Sequence, residues 1–292
     1  MLNETITRSR SEFKVSIFEN ENGDITIVTY SKKWESFISS KHNDLVALSP
    51  KKWNMTNKGN YSLWIPKKNL NSILLHQFVE WLHEVNSHIW LNLNKNIKDN
   101  FTDEIDYCVA ADWNISFDSK ERTEVGEAEY QIKYQYSTGK IDEETAKPYA
   151  ETLANAVLKC SNYLPISDKE DVLITTIPSI ENEQNKLSWA MARFIQSKIG
   201  GSFLTGTLTK EKPKTKTLTV SDKIRLWKDI YANNDNIKLS HTVENKVVII
   251  VDDLYQSGAS IWAFAKFLKQ QGCRNVMGLV AVKSQRDSDN LN

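Results

Sequence analysis

Apolar and polar positions alternate along residues 13–18 and again along 24–30, at the two-residue period of a half-buried strand. Asn20, Glu21, Asn22 and Gly23 between them carry turn chemistry, so the pattern predicts a β-hairpin near the start of the chain. Between residues 70 and 90 the period changes. Ile73, Leu74, Phe78, Trp81, Leu82 and Val85 recur at three- and four-residue steps, which predicts an amphipathic helix entered after Pro66 and capped by Asn69. Towards the C-terminus, Val247, Val248, Ile249, Ile250 and Val251 form an unbroken β-branched run, the mark of a strand buried on both faces of a sheet. Helical spacing returns from Ser260 to Lys269, Gly272 supplies the helix end, and a second apolar run reaching Val282 predicts the next strand. The reading is an α/β chain: a parallel sheet flanked by helices over residues 101–292, preceded by a smaller α+β domain over residues 1–100. Asp99, Asn100, Phe101, Thr102, Asp103 and Glu104 mark the passage between them.

Composition narrows the class. A chain of 292 residues exceeds the usual size of one core, and 40% hydrophobic with 25% charged residues is ordinary for a soluble globular protein. Lys plus Arg and Asp plus Glu are equal at 37 each, so net charge announces neither a nucleic-acid nor a membrane partner. Cys108, Cys160 and Cys273 are odd in number and widely spaced, the usage of a reducing compartment rather than of a disulfide framework or a zinc knuckle. With no apolar run of membrane-spanning length and no signal-peptide core at the start, the expected location is cytoplasmic.

The chemistry gathers where the apolar run ends. Asp252 and Asp253 cannot be buried unpaired, so they must face a crevice or a ligand. The loop that follows ends at Gly258 and opens a helix whose first turn offers backbone N–H groups and a positive dipole end to an anion. Ser257 and Ser260 add hydroxyls three residues apart. Carboxylates for sugar hydroxyls beside an amide cradle describe a site for a 5-phosphorylated ribose. Val251, Asp252, Asp253, Leu254, Tyr255, Gln256, Ser257, Gly258, Ala259 and Ser260 resemble the phosphoribosyl pyrophosphate (PRPP) motif of type I phosphoribosyltransferases. Within that family the chain is most similar to ComF-like competence proteins. Residues 124–134 fit their entry segment ending in Lys-Tyr, 171–178 fit their first core strand, and 210–219 fit their hood; the resemblance covers roughly residues 105 to 287. Many ComF-like proteins carry a four-cysteine zinc module that this sequence lacks.

The resemblance implies a type I phosphoribosyltransferase fold and assigns roles. Asp252 and Asp253 are the catalytic acids that hold the ribose hydroxyls, and Tyr255, Gln256, Ser257, Gly258, Ala259 and Ser260 bind the 5-phosphate. Ile177, Pro178 and Ser179 begin the pyrophosphate loop, and Lys212, Lys214 and Lys216 belong to the hood, with Lys210 and Lys223 beside them. Mg²⁺ would arrive on PRPP, with few protein ligands. One departure bears on catalysis: where the relatives carry a basic residue and a Gly-Phe-Asn-Gln stretch, this chain has Ile180, Glu181, Asn182, Glu183, Gln184, Asn185, Lys186 and Leu187. Two glutamates repel a pyrophosphate unless Mg²⁺ intervenes or they point away, and Lys186 and Arg193 are the nearby cations in sequence.

Two N-terminal features carry alternatives. His76, Glu80 and His83 share a helix face and fit either a divalent metal or an ordinary solvated rim; the sequence favours the rim, and no metal site is assigned. Lys51, Lys52, Lys58, Lys67 and Lys68 interleave with Trp53, Tyr61 and Trp64 without an acid between them. That mix suits single-stranded nucleic acid, although rings entering a core beneath solvated lysines explain it as well and are favoured. The leading expectation is a protein that binds PRPP or a nucleotide 5-phosphate and transfers phosphoribose to an unidentified acceptor with release of pyrophosphate. The alternative is a non-catalytic PRPP- or nucleotide-sensing module acting with DNA, RNA or a protein partner, in competence or as a defence-system effector. No membrane partner is expected; a homodimer is compatible with the fold.

Overall fold

The computed structural model of the protein describes residues 2–93, 97–167, 171–180, 186–209 and 218–285. The chain divides into two compact units, Met1–Trp90 and Leu91–Asn292. The division precedes the acidic passage at 99–104 because the residues after Trp90 are already bonded into the second unit. Leu91 N donates to Cys108 O at 2.8 Å, and Asp106 Oδ2 accepts from Val276 N at 2.8 Å and Lys269 Nζ at 2.9 Å.

The first unit is an antiparallel sheet carrying helices. Strands β1 (Asn3–Thr7), β2 (Lys14–Glu19), β3 (Ile25–Thr29), β4 (Trp53–Met55) and β5 (Tyr61–Ile65) pair in the order β1-β2-β3-β5-β4. The hairpin read from sequence is the β2–β3 pair, with Glu19 opposite Ile25. Asn20 fixes its turn by accepting from Asn22 N at 3.0 Å and Asp24 N at 2.9 Å. Val15, Ile17, Ile25, Ile27, Leu63 and Ile65 are buried and alternate with more polar positions, as a sheet with one covered face requires. Helices α1 (Lys32–Lys41), α2 (Asn43–Ala47) and α3 (Ser72–Asn86), and a two-residue strand β6 (Ile89–Trp90), complete the unit. Phe13 meets the Trp34 ring edge-on at 4.9 Å, and Trp34 meets Trp90 edge-on at 5.1 Å, which places large rings at the centre of this core. The cap of α3 is Asn71, whose side chain accepts from Ile73 N and Leu74 N; Asn69, expected as the cap, lies in the preceding 3₁₀ turn and donates to Leu48 O. Both asparagines precede the apolar stripe, and the turn at Lys67–Asn69 shifts the start by two residues.

The second unit is the α/β part. Strands β7 (Tyr107–Trp113), β8 (Val172–Thr176), β9 (Ser202–Phe203), β12 (Val247–Tyr255) and β13 (Asn275–Lys283) lie in the order β7-β13-β12-β8-β9, and every one of these pairings is parallel. A small antiparallel pair, β10 (Gly206–Leu208) with β11 (Ile237–Leu239), stands apart. Helices α4 (Glu124–Tyr130), α5 (Glu143–Ser161), α6 (Leu187–Ile199), α7 (Val220–Tyr231) and α8 (Ala259–Gln270) flank the sheet. The run from Val247 to Val251 is buried throughout, which is why it carries no polar alternation.

Register then brings the chemistry to one edge. Val251 is opposite Thr176, Tyr255 opposite Lys283, and Lys283 opposite Trp113. Residues 112–114, 177–179, 252–258 and 283–285 therefore leave the carboxyl ends of neighbouring parallel strands, the place where open α/β sheets hold ligands. Among the described residues no helix is long and apolar enough to cross a membrane, and Cys108, Cys160 and Cys273 are buried and in no disulfide.

Candidate functional site

The loop from β12 to α8 is built on its own interior. Gly258 has φ +82°, a left-handed conformation, and is the residue before the first turn of α8. A Cβ there would stand 2.2 Å from Tyr255 Oη and 3.1 Å from Trp262 Cδ1. Tyr255 is 3% exposed, and its hydroxyl accepts from Trp262 Nε1 at 2.9 Å, so the ring that ends β12 props the start of α8. Lys283 reaches beneath the same loop: it is 4% exposed and donates to Ser284 O at 2.7 Å and Gln256 O at 3.3 Å. Ser257 is also buried, and its Oγ accepts from Ala259 N at 3.4 Å.

These bonds sort the residues expected to cradle a phosphate. Tyr255, Ser257 and Ala259 point inward and hold the loop's shape, whereas Gln256 and Ser260 are partly exposed at its rim. The N-cap residue Gly258 has no side chain to bond the first turn of α8, and Ser257 Oγ accepts from Ala259 N, so the next N–H groups of that turn are directed beyond the loop.

The acid pair departs from a simple pair of carboxylates. Burial first, and then the adjacent Asp253, push the Asp252 carboxyl up to about 8, against the opposing pull of Lys133. Asp253 N donates to Asp252 Oδ1 at 3.0 Å. The first acid thus holds its proton more readily than an ordinary carboxyl group does. Asp253 meets a cation: Lys133 Nζ lies 2.8 Å from its Oδ2 and 3.2 Å from Glu129 Oε1. Burial lowers the Lys133 ammonium, but Asp253 and Glu129 outweigh it and the net shift is upward. Burial raises Glu129, with Lys133 offsetting part of the effect.

The helix carrying Lys133 has unusual geometry. It begins as α4, capped by the Thr123 side chain on Gly126 N, and continues as a π-helical segment, Gln131–Tyr136. Gly126 permits the approach of α4 to the sheet edge, since a Cβ there would stand 2.1 Å from Asn114 O. Glu129 on α4 and Lys133 on the π-helical segment are four apart, so helical spacing sets Glu129 against the lysine that meets Asp253. Both lie within residues 124–134, which the sequence assigns to a ComF-like entry segment without a role for either; the available signal is the Glu-x-x-x-Lys spacing.

The turn after β8 is ordered by packing. Pro178 and Ser179 are buried, Ile177 is partly exposed, and Gly206 makes room for the Pro178 ring. Ser179 O accepts from Leu208 N at 3.3 Å, and Ser179 Oγ accepts from Lys186 Nζ. Arg193, the other cation near this turn in sequence, lies over the Phe203 ring at 5.0 Å and the Trp189 ring at 5.7 Å. Glu181 and Glu183, and the hood lysines Lys210, Lys212, Lys214 and Lys216, lie outside the described residues. Lys223 is in α7.

Two clefts among the described residues open elsewhere. One of about 390 Å³ lies between β11 and α8, lined by Leu239, His241, Val243 and Phe267. One of about 380 Å³ runs between α5 and α6, lined by Ala150, Leu153, Met191 and Phe194, with Ile132 and Tyr136 of the π-helical segment.

The N-terminal candidates separate. His76 Nε2 lies 3.3 Å from Glu80 Oε1, but His83 Nε2 lies 3.2 Å from Glu4 Oε1 on β1, so the helix trio is divided between two exposed pairs. Trp53 is opposite Leu63, one residue from Trp64, so the two indoles emerge on opposite faces of the sheet. Trp53 Nε1 donates to Ser39 Oγ at 2.9 Å, and Trp64 is 36% exposed. One surface cannot offer both rings to a strand of bases.

No protein-family model matches the sequence, and no curated protein does. Solved structures similar to it include a hypoxanthine phosphoribosyltransferase from Staphylococcus aureus, at 14% identity over 49% of this chain and 70% of that one, with a TM-score of 0.33. A purine phosphoribosyltransferase from Pyrococcus horikoshii aligns at 14% identity over 46% and 71% of the two chains, with a TM-score of 0.28. An adenine phosphoribosyltransferase from Thermoanaerobacter pseudethanolicus aligns at 18% identity over 48% and 82%, with a TM-score of 0.26.

Proposed function

We propose that the carboxyl edge of the parallel sheet binds PRPP or a nucleotide 5-phosphate, and that the protein transfers phosphoribose to an acceptor with release of pyrophosphate. The observation that carries the reading is the pairing of two features at the end of β12. Asp252 and Asp253 offer a carboxyl group that holds its proton readily and an ion-paired carboxylate, and three residues on begins a loop that delivers the N-terminus of α8, whose N-cap Gly258 has no side chain. A vicinal diol can donate to Asp253 and both donate to and accept from Asp252. A phosphate five positions along the chain meets backbone N–H groups and the positive end of a helix dipole. The type I phosphoribosyltransferase motif at 251–260, and the ComF-like order of segments around it, agree with this assignment.

In the transfer, the bond from C1 to the pyrophosphate oxygen breaks and its electron pair leaves with pyrophosphate. A nitrogen of the acceptor forms the new bond to C1 and gives up its proton. The chain's own share is positioning and charge complementarity: the acids fix the ribose, and the loop fixes the 5-phosphate. Mg²⁺ carried on PRPP would neutralise the departing pyrophosphate. Incubation with Mg²⁺, PRPP and a panel of nitrogenous bases, followed by pyrophosphate release, tests catalysis; base-dependent release is the expected result.

A second reading is a PRPP or nucleotide sensor. Its support is the sequence 180–187, where two glutamates take the place of the basic pyrophosphate loop of ComF-like proteins. Tight PRPP binding with no release against any base would favour it.

A further inference from the structure

We infer that Lys133 is the protein's counter-charge to the pyrophosphate carried on C1 of the ligand. The inference rests on the proposed ribose 5-phosphate site and names a residue within it. In PRPP the C1 pyrophosphate and the C2 and C3 hydroxyls project from the same face of the ribose ring. A cation held against the carboxylate that receives those hydroxyls is therefore beside the first phosphate as well. Lys133 Nζ occupies that position, 2.8 Å from Asp253 Oδ2, with its side chain 24% exposed.

The neighbouring cations are engaged otherwise. Lys186 donates to Ser179, Arg193 lies over Trp189 and Phe203, and Lys283 is buried under the loop on two carbonyls. The local charge also calls for a cation: Glu129, Asp252 and Asp253 face Lys133, and Glu181 and Glu183 follow the turn in sequence. An anionic ligand approaching three carboxyl groups needs the ammonium to offset their repulsion. Burial and the flexible four-carbon stem suit Lys133 to this role, because the ammonium can pivot from Asp253 to a phosphate oxygen without moving the helix. Asp253, which it leaves behind, would then be paired with ribose hydroxyls.

The test compares two ligands on the whole protein. Calorimetry with PRPP and with ribose 5-phosphate, both with Mg²⁺, is run on wild type, Lys133→Gln and Lys133→Arg. The expected result is a loss of PRPP affinity of about ten- to a hundred-fold in Lys133→Gln, the size of a charge-assisted contact. Ribose 5-phosphate affinity should change less than about three-fold, and Lys133→Arg should retain most of the PRPP preference. Equal losses for both ligands in Lys133→Gln would make Lys133 a structural support for Asp253 and overturn the inference. If Lys133→Gln fails to fold, Lys133→Arg decides: it keeps the charge, so loss of the PRPP preference in it also overturns the inference. A wild type that binds neither ligand would instead remove the proposed function itself, and this inference with it.

Discussion

A Cβ on Gly258 would stand 2.2 Å from Tyr255 Oη, so the glycine that opens α8 and the tyrosine that closes β12 are mutually required. The loop between them keeps its shape only while the left-handed residue has no side chain. Gly258→Ala is therefore expected to destabilise the fold, by about 1–2 kcal/mol for the backbone conformation and about 1–3 kcal/mol more for the overpacking. Thermal unfolding measures it. A variant as stable as wild type would show that the loop has room to rearrange.

Tyr255→Phe leaves the space filled and removes one acceptor. The indole N–H of buried Trp262 would lose its partner at 2.9 Å, a loss of about 1–3 kcal/mol in stability. Denaturant unfolding followed by tryptophan emission should show this as a lower midpoint with an unchanged slope.

Asp252 sets a pH dependence whose sign can be worked out. Its folded value of about 8 is above its ordinary value of 3.8, so between these limits the folded state holds a proton that the unfolded state has released. Stability from this group is present below 3.8 and is lost as pH rises towards about 8. Asp252→Asn mimics the protonated form and removes that decline. Melting temperatures of the two proteins should diverge in favour of the variant as pH rises through this window; parallel curves would mean that Asp252 ionises in the fold without penalty.

Trp64→Ala is expected to cost less stability than Trp34→Ala does, because Trp64 is 36% exposed. Trp34→Ala, which empties a fully buried site, should cost about 3–5 kcal/mol. If the first unit takes single-stranded nucleic acid, Trp64→Ala should weaken that binding by about 1–3 kcal/mol, with no matching contribution from Trp53 on the opposite face.

The parts of the fold that declare themselves in sequence are those whose period has one cause. Residues 247–251 are apolar because the strand is covered on both faces, and Asn20 to Gly23 turn because Asn20 bonds its own following backbone. The acid pair and the loop to α8 were legible for the same reason: a local order of residues makes them. Lys133 was not, because its partner Asp253 is 120 positions away in sequence and the π-helical segment that aims it has no compositional mark. Nor was the inward direction of Tyr255 and Ser257, which packing against Trp262 and the start of α8 decides. The bonds that tie Leu91 and Asp106 to Cys108 and Val276 are likewise contacts that no local pattern announces.

The most direct measurement is the affinity of Asp252→Asn/Asp253→Asn for PRPP with Mg²⁺, by calorimetry beside the wild type. If the acids hold the ribose hydroxyls, wild type binds and the double variant, still folded by circular dichroism, loses at least about 1.5–3 kcal/mol, the contribution of a charge-assisted hydrogen bond to the Asp253 carboxylate. Equal affinity in the two proteins would contradict the assignment of this edge as the ribose 5-phosphate site.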